Sequence, residues 1–171
     1  MKPETAQAHR EKRAVALGSV LAAVFLLTLK LVVGITTNSL GILSEAAHSG
    51  LDLMAASITF LAVRASGRPA DREHPFGHGK VENLSALIET LLLLLTCVWI
   101  IYEALSRLLF KTVEVEATVW AFGVMGLAIV VDSNRSRALY RVARRHNSQA
   151  LEADALHFST DIWSSSVVIV G

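Results

Sequence analysis

Two pairs of residues carry the first chemical signal. His48 and Asp52 stand four positions apart, and so do His157 and Asp161, each pair within an otherwise apolar stretch. In a helix, residues i and i+4 lie one turn apart on the same face. A charged side chain at membrane depth costs about 2.5–3.5 kcal/mol or more, and such residues generally line an interior path. Two imidazoles and two carboxylates make four nitrogen and oxygen ligands, a set that suits tetrahedral zinc. One such pair alone reads equally well as a core histidine hydrogen-bonded to its neighbour. Two identical pairs favour halves of one metal site, provided that their helices pack face to face.

Further polar residues extend the same faces. Glu45 lies seven before Asp52 and reads as a proton relay, an entrance ligand or a headgroup-level carboxylate. Asp154 lies seven before Asp161, where an acid near the start of a helix complements the helix dipole. Glu89 is a lone carboxylate in a long apolar run and reads as a contact inside a helix bundle, with a proton role open to it. A second cluster occupies the polar segment from Asp71 to Lys80. Asp71, His74 and His78 supply three ligand groups, and Pro75 and Gly77 let the chain fold around an ion. A fourth position is left for water or another carboxylate. Solvated loops also hold such residues without binding metal.

These residues must be positioned by membrane helices. The chain has 171 residues, 53% of them hydrophobic and 18% charged, with a mean hydropathy of +0.48. Apolar runs cover about 14–35, 40–63 and 84–105, each long enough to cross roughly 30 Å of hydrocarbon at about 1.5 Å per residue. A fourth run centres on 118–131 and continues as a basic helix to about His146. A fifth opens near Ala150 and is still apolar at Gly171. The expected fold is therefore all-α, a polytopic transmembrane bundle, with a cytoplasmic leader at 1–13, a transmembrane domain over 14–171 and a cytoplasmic loop at 64–82.

Basic residues set the orientation. The leader holds Lys2, Arg10, Lys12 and Arg13, and the second-to-third loop holds Arg64, Arg68, Arg72 and Lys80. The fourth-to-fifth connection holds Arg135, Arg137, Arg141, Arg144 and Arg145. The opposite side holds Arg107 and Lys111 beside Glu114 and Glu116. This alternation places the N-terminus and both long loops in the cytoplasm. A net charge of +1 gives no overall basic field for nucleic acid, and the single Cys97 excludes a disulfide framework and a cysteine zinc knuckle. Cys97 reads as an inert core or lipid-facing residue. Lys30, near the end of the first run, reads as a snorkelling side chain. No secretory signal and no phosphate-binding loop is evident.

The combination resembles the cation diffusion facilitator family of metal/proton antiporters. Three segments carry the resemblance: Ser44-Glu-Ala-Ala-His48-Ser-Gly-Leu-Asp52, His74-Pro-Phe-Gly-His78-Gly-Lys80-Val-Glu82, and Ser148 through His157-Phe-Ser-Thr-Asp161. They occur in matching order across essentially the whole chain. The resemblance implies a transport site at His48, Asp52, His157 and Asp161, and a loop site of some members at Asp71, His74 and His78. Histidine at the first position, His48, implies zinc as the transported ion. Cadmium, cobalt, iron and manganese are further candidate cations. The resemblance also implies six membrane helices, a cytoplasmic domain of ferredoxin-like fold and a homodimer. The sixth helix and that domain do not fall within these 171 residues, so a fragment of a longer protein is expected.

Metal ligands bind deprotonated, so metal and protons compete for one site. Free histidine titrates near about pH 6.5, which places that competition in the physiological range. The function expected is zinc efflux from the cytoplasm by exchange for protons, in a multi-pass protein of the plasma (inner) membrane, with no catalytic residue and no nucleic-acid partner. A metal sensor without transport is one alternative. A membrane metalloenzyme is another, but a catalytic zinc needs an open position and four protein ligands fill the tetrahedron.

Overall fold

The computed structural model describes residues 3–110 and 119–170. Lys2, Gly171 and the stretch 111–118, with Lys111, Glu114 and Glu116, lie outside the described residues. Five helices follow one another: α1 (Pro3–Thr36), α2 (Leu40–Ser66), α3 (Val81–Phe110), α4 (Val119–His146) and α5 (Gln149–Val170). Three described segments are long and apolar enough to cross a membrane: Ala6–Thr36, Leu40–Ser66 and Val81–Tyr102. The other two helices hold much of the polar interior. Arg135 of α4 and Asp154 and His157 of α5 are all buried.

The polar leader does not form a separate element. Helix α1 begins at Pro3 and runs unbroken into the apolar segment. Proline is tolerated in a first helical turn, and the Glu, Ala, Gln and Lys residues that follow are good helix formers.

Two hairpins give the bundle its shape, and both turn on the same device. Asn38 ends α1 with φ 51°, and Asn147 ends α4 with φ 47°, both in the left-handed region that asparagine tolerates. The following serine reaches back five residues in each case, Ser39 N–H to Gly34 C=O at 3.1 Å and Ser148 N–H to Ala143 C=O at 3.0 Å. Ser39 also caps α2, its Oγ accepting from the Ile42 N–H at 3.4 Å. At Gly34 the helices come so close that a Cβ would stand 2.8 Å from Leu43 Cδ2.

Helix α5 packs against α2, α3 and α4, and α1 packs against α2 and α4. The core cluster joins Ala16, Val63, Leu139, Leu151, Ala155 and Phe158 from four helices. Small residues let membrane helices approach closely where no hydrophobic force drives them together. Leu91, Leu94, Leu95, Val98 and Trp99 of α3 face outward, as lipid-contacting residues do.

Candidate metal centre

Helix α2 presents His48 and Asp52 on a face that also buries Ala46, Ser49, Ala55 and Ala56. Those small neighbours bring α5 within reach. His48 Nε2 lies 3.6 Å from Asp161 Oδ1, and His157 Nε2 lies 3.3 Å from Asp52 Oδ1. Along each helix, His48 Nε2 to Asp52 is 3.8 Å and His157 Nε2 to Asp161 is 3.6 Å. Each histidine thus faces the other helix's aspartate, as antiparallel packing requires. One imidazole and one carboxylate stand at each level. Ligand atoms of His48, Asp52 and Asp161 fall within 4.8 Å of one another. His157 is 3% exposed, whereas the His48 side chain keeps 28% of its surface.

A second polar layer lies beside these residues. Asp154, near the start of α5, is fully buried and accepts from Ser19 Oγ at 3.0 Å, so it is an interior group of the bundle. Ser19 in turn accepts from Arg135 Nε at 2.7 Å, and the Arg135 guanidinium sits 3.3 Å from the centre of the Phe158 ring. Arg135, counted by position among the loop cations, is therefore an interior residue. Its spacing from Asp132, with which it forms an ion pair at 3.5 Å, is the signal that a charge count alone passes over. Glu89 is a bundle-interior contact as expected, accepting from Thr59 and from Ser85 at 3.1 Å.

Glu82 forms a third cluster that sequence reasoning missed. It is 6% exposed and bonds Lys12 of α1, Ser66 of α2 at 2.6 Å, and Ser148 of the α4–α5 turn. One carboxylate therefore ties three other parts of the chain together beside the 67–80 loop. Only contacts between residues distant in the sequence show this role.

In the loop, Asp71 Oδ1 accepts from the backbone N–H of Glu73 at 3.1 Å and of His74 at 2.6 Å. Asparagine and aspartate often close turns in this way. Gly77 takes φ 81°, where a side chain would be strained. The fold brings His74 Nδ1 to 3.2 Å and His78 Nε2 to 3.4 Å from the Asp71 carboxylate. The His74 backbone N–H, with its ring, holds the Asp71 carboxyl below the usual carboxylate range. This trio and the α2–α5 group are the metal-competent clusters found among the described residues.

The described helices thus form an all-helical bundle with membrane-length apolar segments, in which imidazole and carboxylate groups of α2 and α5 gather. The chain belongs to the cation efflux (cation diffusion facilitator) family, since the model of the cation efflux transmembrane domain matches residues 16–171. It is 36% identical over 167 residues to an uncharacterised transporter of Synechocystis, an alignment covering 97% of this chain and 52% of that protein. It is 32% identical to the cation-efflux pump FieF of Cronobacter sakazakii, covering 91% of this chain and 51% of the pump. It is 31% identical to the magnetosome protein MamB of Paramagnetospirillum magneticum, covering 82% and 47% respectively. The chain spans about half the length of the curated relatives it matches.

Proposed function

We propose that this chain forms the membrane part of a divalent-cation transporter that exports zinc from the cytoplasm in exchange for protons. The observation that carries the reading is the crossed pairing of His48 with Asp161 and Asp52 with His157 between two antiparallel helices. Two neutral imidazoles and two carboxylates around a divalent ion form a complex of zero net charge, which costs least to hold in a low-dielectric bundle. On release, protons take the place of the ion at the same groups. No nucleotide is needed, because the proton gradient supplies the work.

The distribution of basic residues supports a cytoplasmic N-terminus and a cytoplasmic Asp71/His74/His78 loop. That loop then acts as the first binding station for zinc on the cytoplasmic side, and the α2–α5 site as the station that alternates between sides. The His48 imidazole supports zinc over harder cations, which prefer all-oxygen ligands. Reconstitution into liposomes tests the reading, with zinc followed by an internal indicator under an imposed pH gradient. Gradient-driven zinc flux that is lost in Asp161→Ala is expected. Tight zinc binding with no flux would refute transport and favour a sensor.

A further inference from the structure

Lys30 is an unusual residue to find inside a membrane bundle. It is 6% exposed, so its ammonium is buried rather than solvated as a snorkelling lysine's would be. Its Nζ instead donates to Ser49 Oγ at 2.9 Å and to Glu45 Oε2 at 3.2 Å, both on α2. Glu45 is almost half exposed at its side chain, towards the bundle end that carries the α1–α2 turn. Glu45 precedes His48 by one helical turn, and Ser49 follows it directly, so Lys30 is bound to the same helix face that offers His48 and Asp52. The neighbouring carboxylate of α4, Asp132, is already engaged by Arg135 at 3.5 Å.

We propose that Lys30 is a positioning residue that holds Glu45 out of the metal's coordination sphere and so keeps the site weak enough to release its ion. This rests on the reading of His48, Asp52, His157 and Asp161 as the transport site. Two carboxylates balance a divalent ion, and a third would leave the occupied site with a net negative charge. It would also add a fifth ligand from the very end of the bundle through which the ion must leave under that reading. The Lys30 ammonium cancels the Glu45 charge and fixes its position, so the coordination number stays at four. The arrangement thus separates two tasks. Asp52 and Asp161 bind the ion, and the Lys30–Glu45 pair keeps the exit free of a competing ligand.

The test compares wild type with Lys30→Met, Lys30→Gln, Glu45→Gln and the Lys30→Met/Glu45→Gln double variant, all in the full chain in liposomes or detergent. In Lys30→Met, zinc affinity from indicator competition should rise on the order of tenfold, the scale of one uncompensated charge nearby. Zinc flux at saturating substrate should fall by a similar factor. Cobalt loaded into the same site should lose much of the intense visible absorption of a four-coordinate ion as a fifth ligand enters. Removing the carboxylate in the double variant should restore affinity, flux and spectrum, whereas Glu45→Gln alone, which leaves the Lys30 ammonium uncompensated, should keep the four-coordinate spectrum and lower zinc affinity on a similar scale. Lys30→Gln repeats the test if the methionine variant fails to insert. Unchanged zinc affinity and cobalt spectrum in an inserted Lys30 variant would overturn the proposal, as would a double variant that does not recover. A wild-type protein whose zinc affinity is indifferent to Asp161→Ala would instead overturn the site reading itself.

Discussion

Truncating Asp161 to alanine removes a carboxylate whose two oxygens lie 3.6 Å from His48 Nε2 and 3.6 Å from His157 Nε2. Like Asp52, it thus lies within reach of both imidazoles. Loss of a group that merely orients a ligand already costs about 10–100-fold in metal affinity. Loss of a ligand itself should cost more than about 100-fold, or about 2.7 kcal/mol at 1.36 kcal/mol per tenfold. The folded chain without metal should tolerate the change, since two nearby carboxylates, Asp52 and Asp161, repel one another when no cation lies between them. Two numbers follow for the same sample. In a His74→Ala/His78→Ala background, which removes the loop ligands, the melting temperature without zinc should move by only a few degrees, while the zinc-induced rise in melting temperature should vanish, because a ligand stabilises a protein only in so far as it binds the folded state. Indicator competition and thermal melts with and without zinc provide both. An inserted Asp161→Ala protein in that background that binds zinc within threefold of its parent would show that Asp161 is not a ligand.

Replacing His48 by Asp converts the ligand set to one imidazole and three carboxylates, and relative cadmium transport should rise in liposome flux assays; unchanged selectivity would refute the role given to this imidazole. Lys12→Met leaves the buried Glu82 carboxylate with two serine donors and no cation, so stability should fall by about 3 kcal/mol, read from denaturation in detergent, with partial recovery in Lys12→Met/Glu82→Met. Gly34→Leu drives a side chain into Leu43 and should cost about 1–3 kcal/mol in the same assay, while Gly18→Ala, with open space around its Cβ, should cost little. Zinc binding at the 67–80 loop should weaken on acidification. Because the Asp71 carboxyl is held below its ordinary range, it stays ionised through neutral pH, so zinc binding by indicator competition across a pH series should hold at neutral pH and be weakened by Asp71→Asn; a loop affinity unchanged in Asp71→Asn would refute this.

The parts of the molecule that were legible in the sequence are those with a local period or spacing. The i, i+4 pairs at 48/52 and 157/161 identify the faces of α2 and α5, and the charge alternation predicts the direction of each helix. Together they predict crossed pairing, and the structure shows it in the 3.6 Å His48–Asp161 and 3.3 Å His157–Asp52 distances. Helix α4 was legible in its 118–146 extent, because its basic second half still follows helical composition. The two Asn-Ser turns were also available, as left-handed caps followed by a serine that begins the next helix, but they lie in short links that hydropathy passes over. What local pattern could not show is which polar residues meet across the bundle. Lys30 fits a snorkelling side chain until Glu45 and Ser49 are seen opposite it. Arg135 fits a loop cation until Ser19 and Phe158 surround it. Glu82 reads as the end of a loop motif until Lys12 and Ser148 arrive from both ends of the chain. Each of these depends on contacts between distant segments, which neither period nor composition encodes.

Zinc K-edge X-ray absorption on protein holding one equivalent of zinc, in a His74→Ala/His78→Ala background that removes the loop ligands, reads the ligand shell at His48, Asp52, His157 and Asp161 itself. A four-coordinate ion with nitrogen and oxygen ligands at about 2.0–2.2 Å and the multiple scattering of two imidazoles is expected. A six-coordinate oxygen shell, or a spectrum without imidazole scattering, would contradict it.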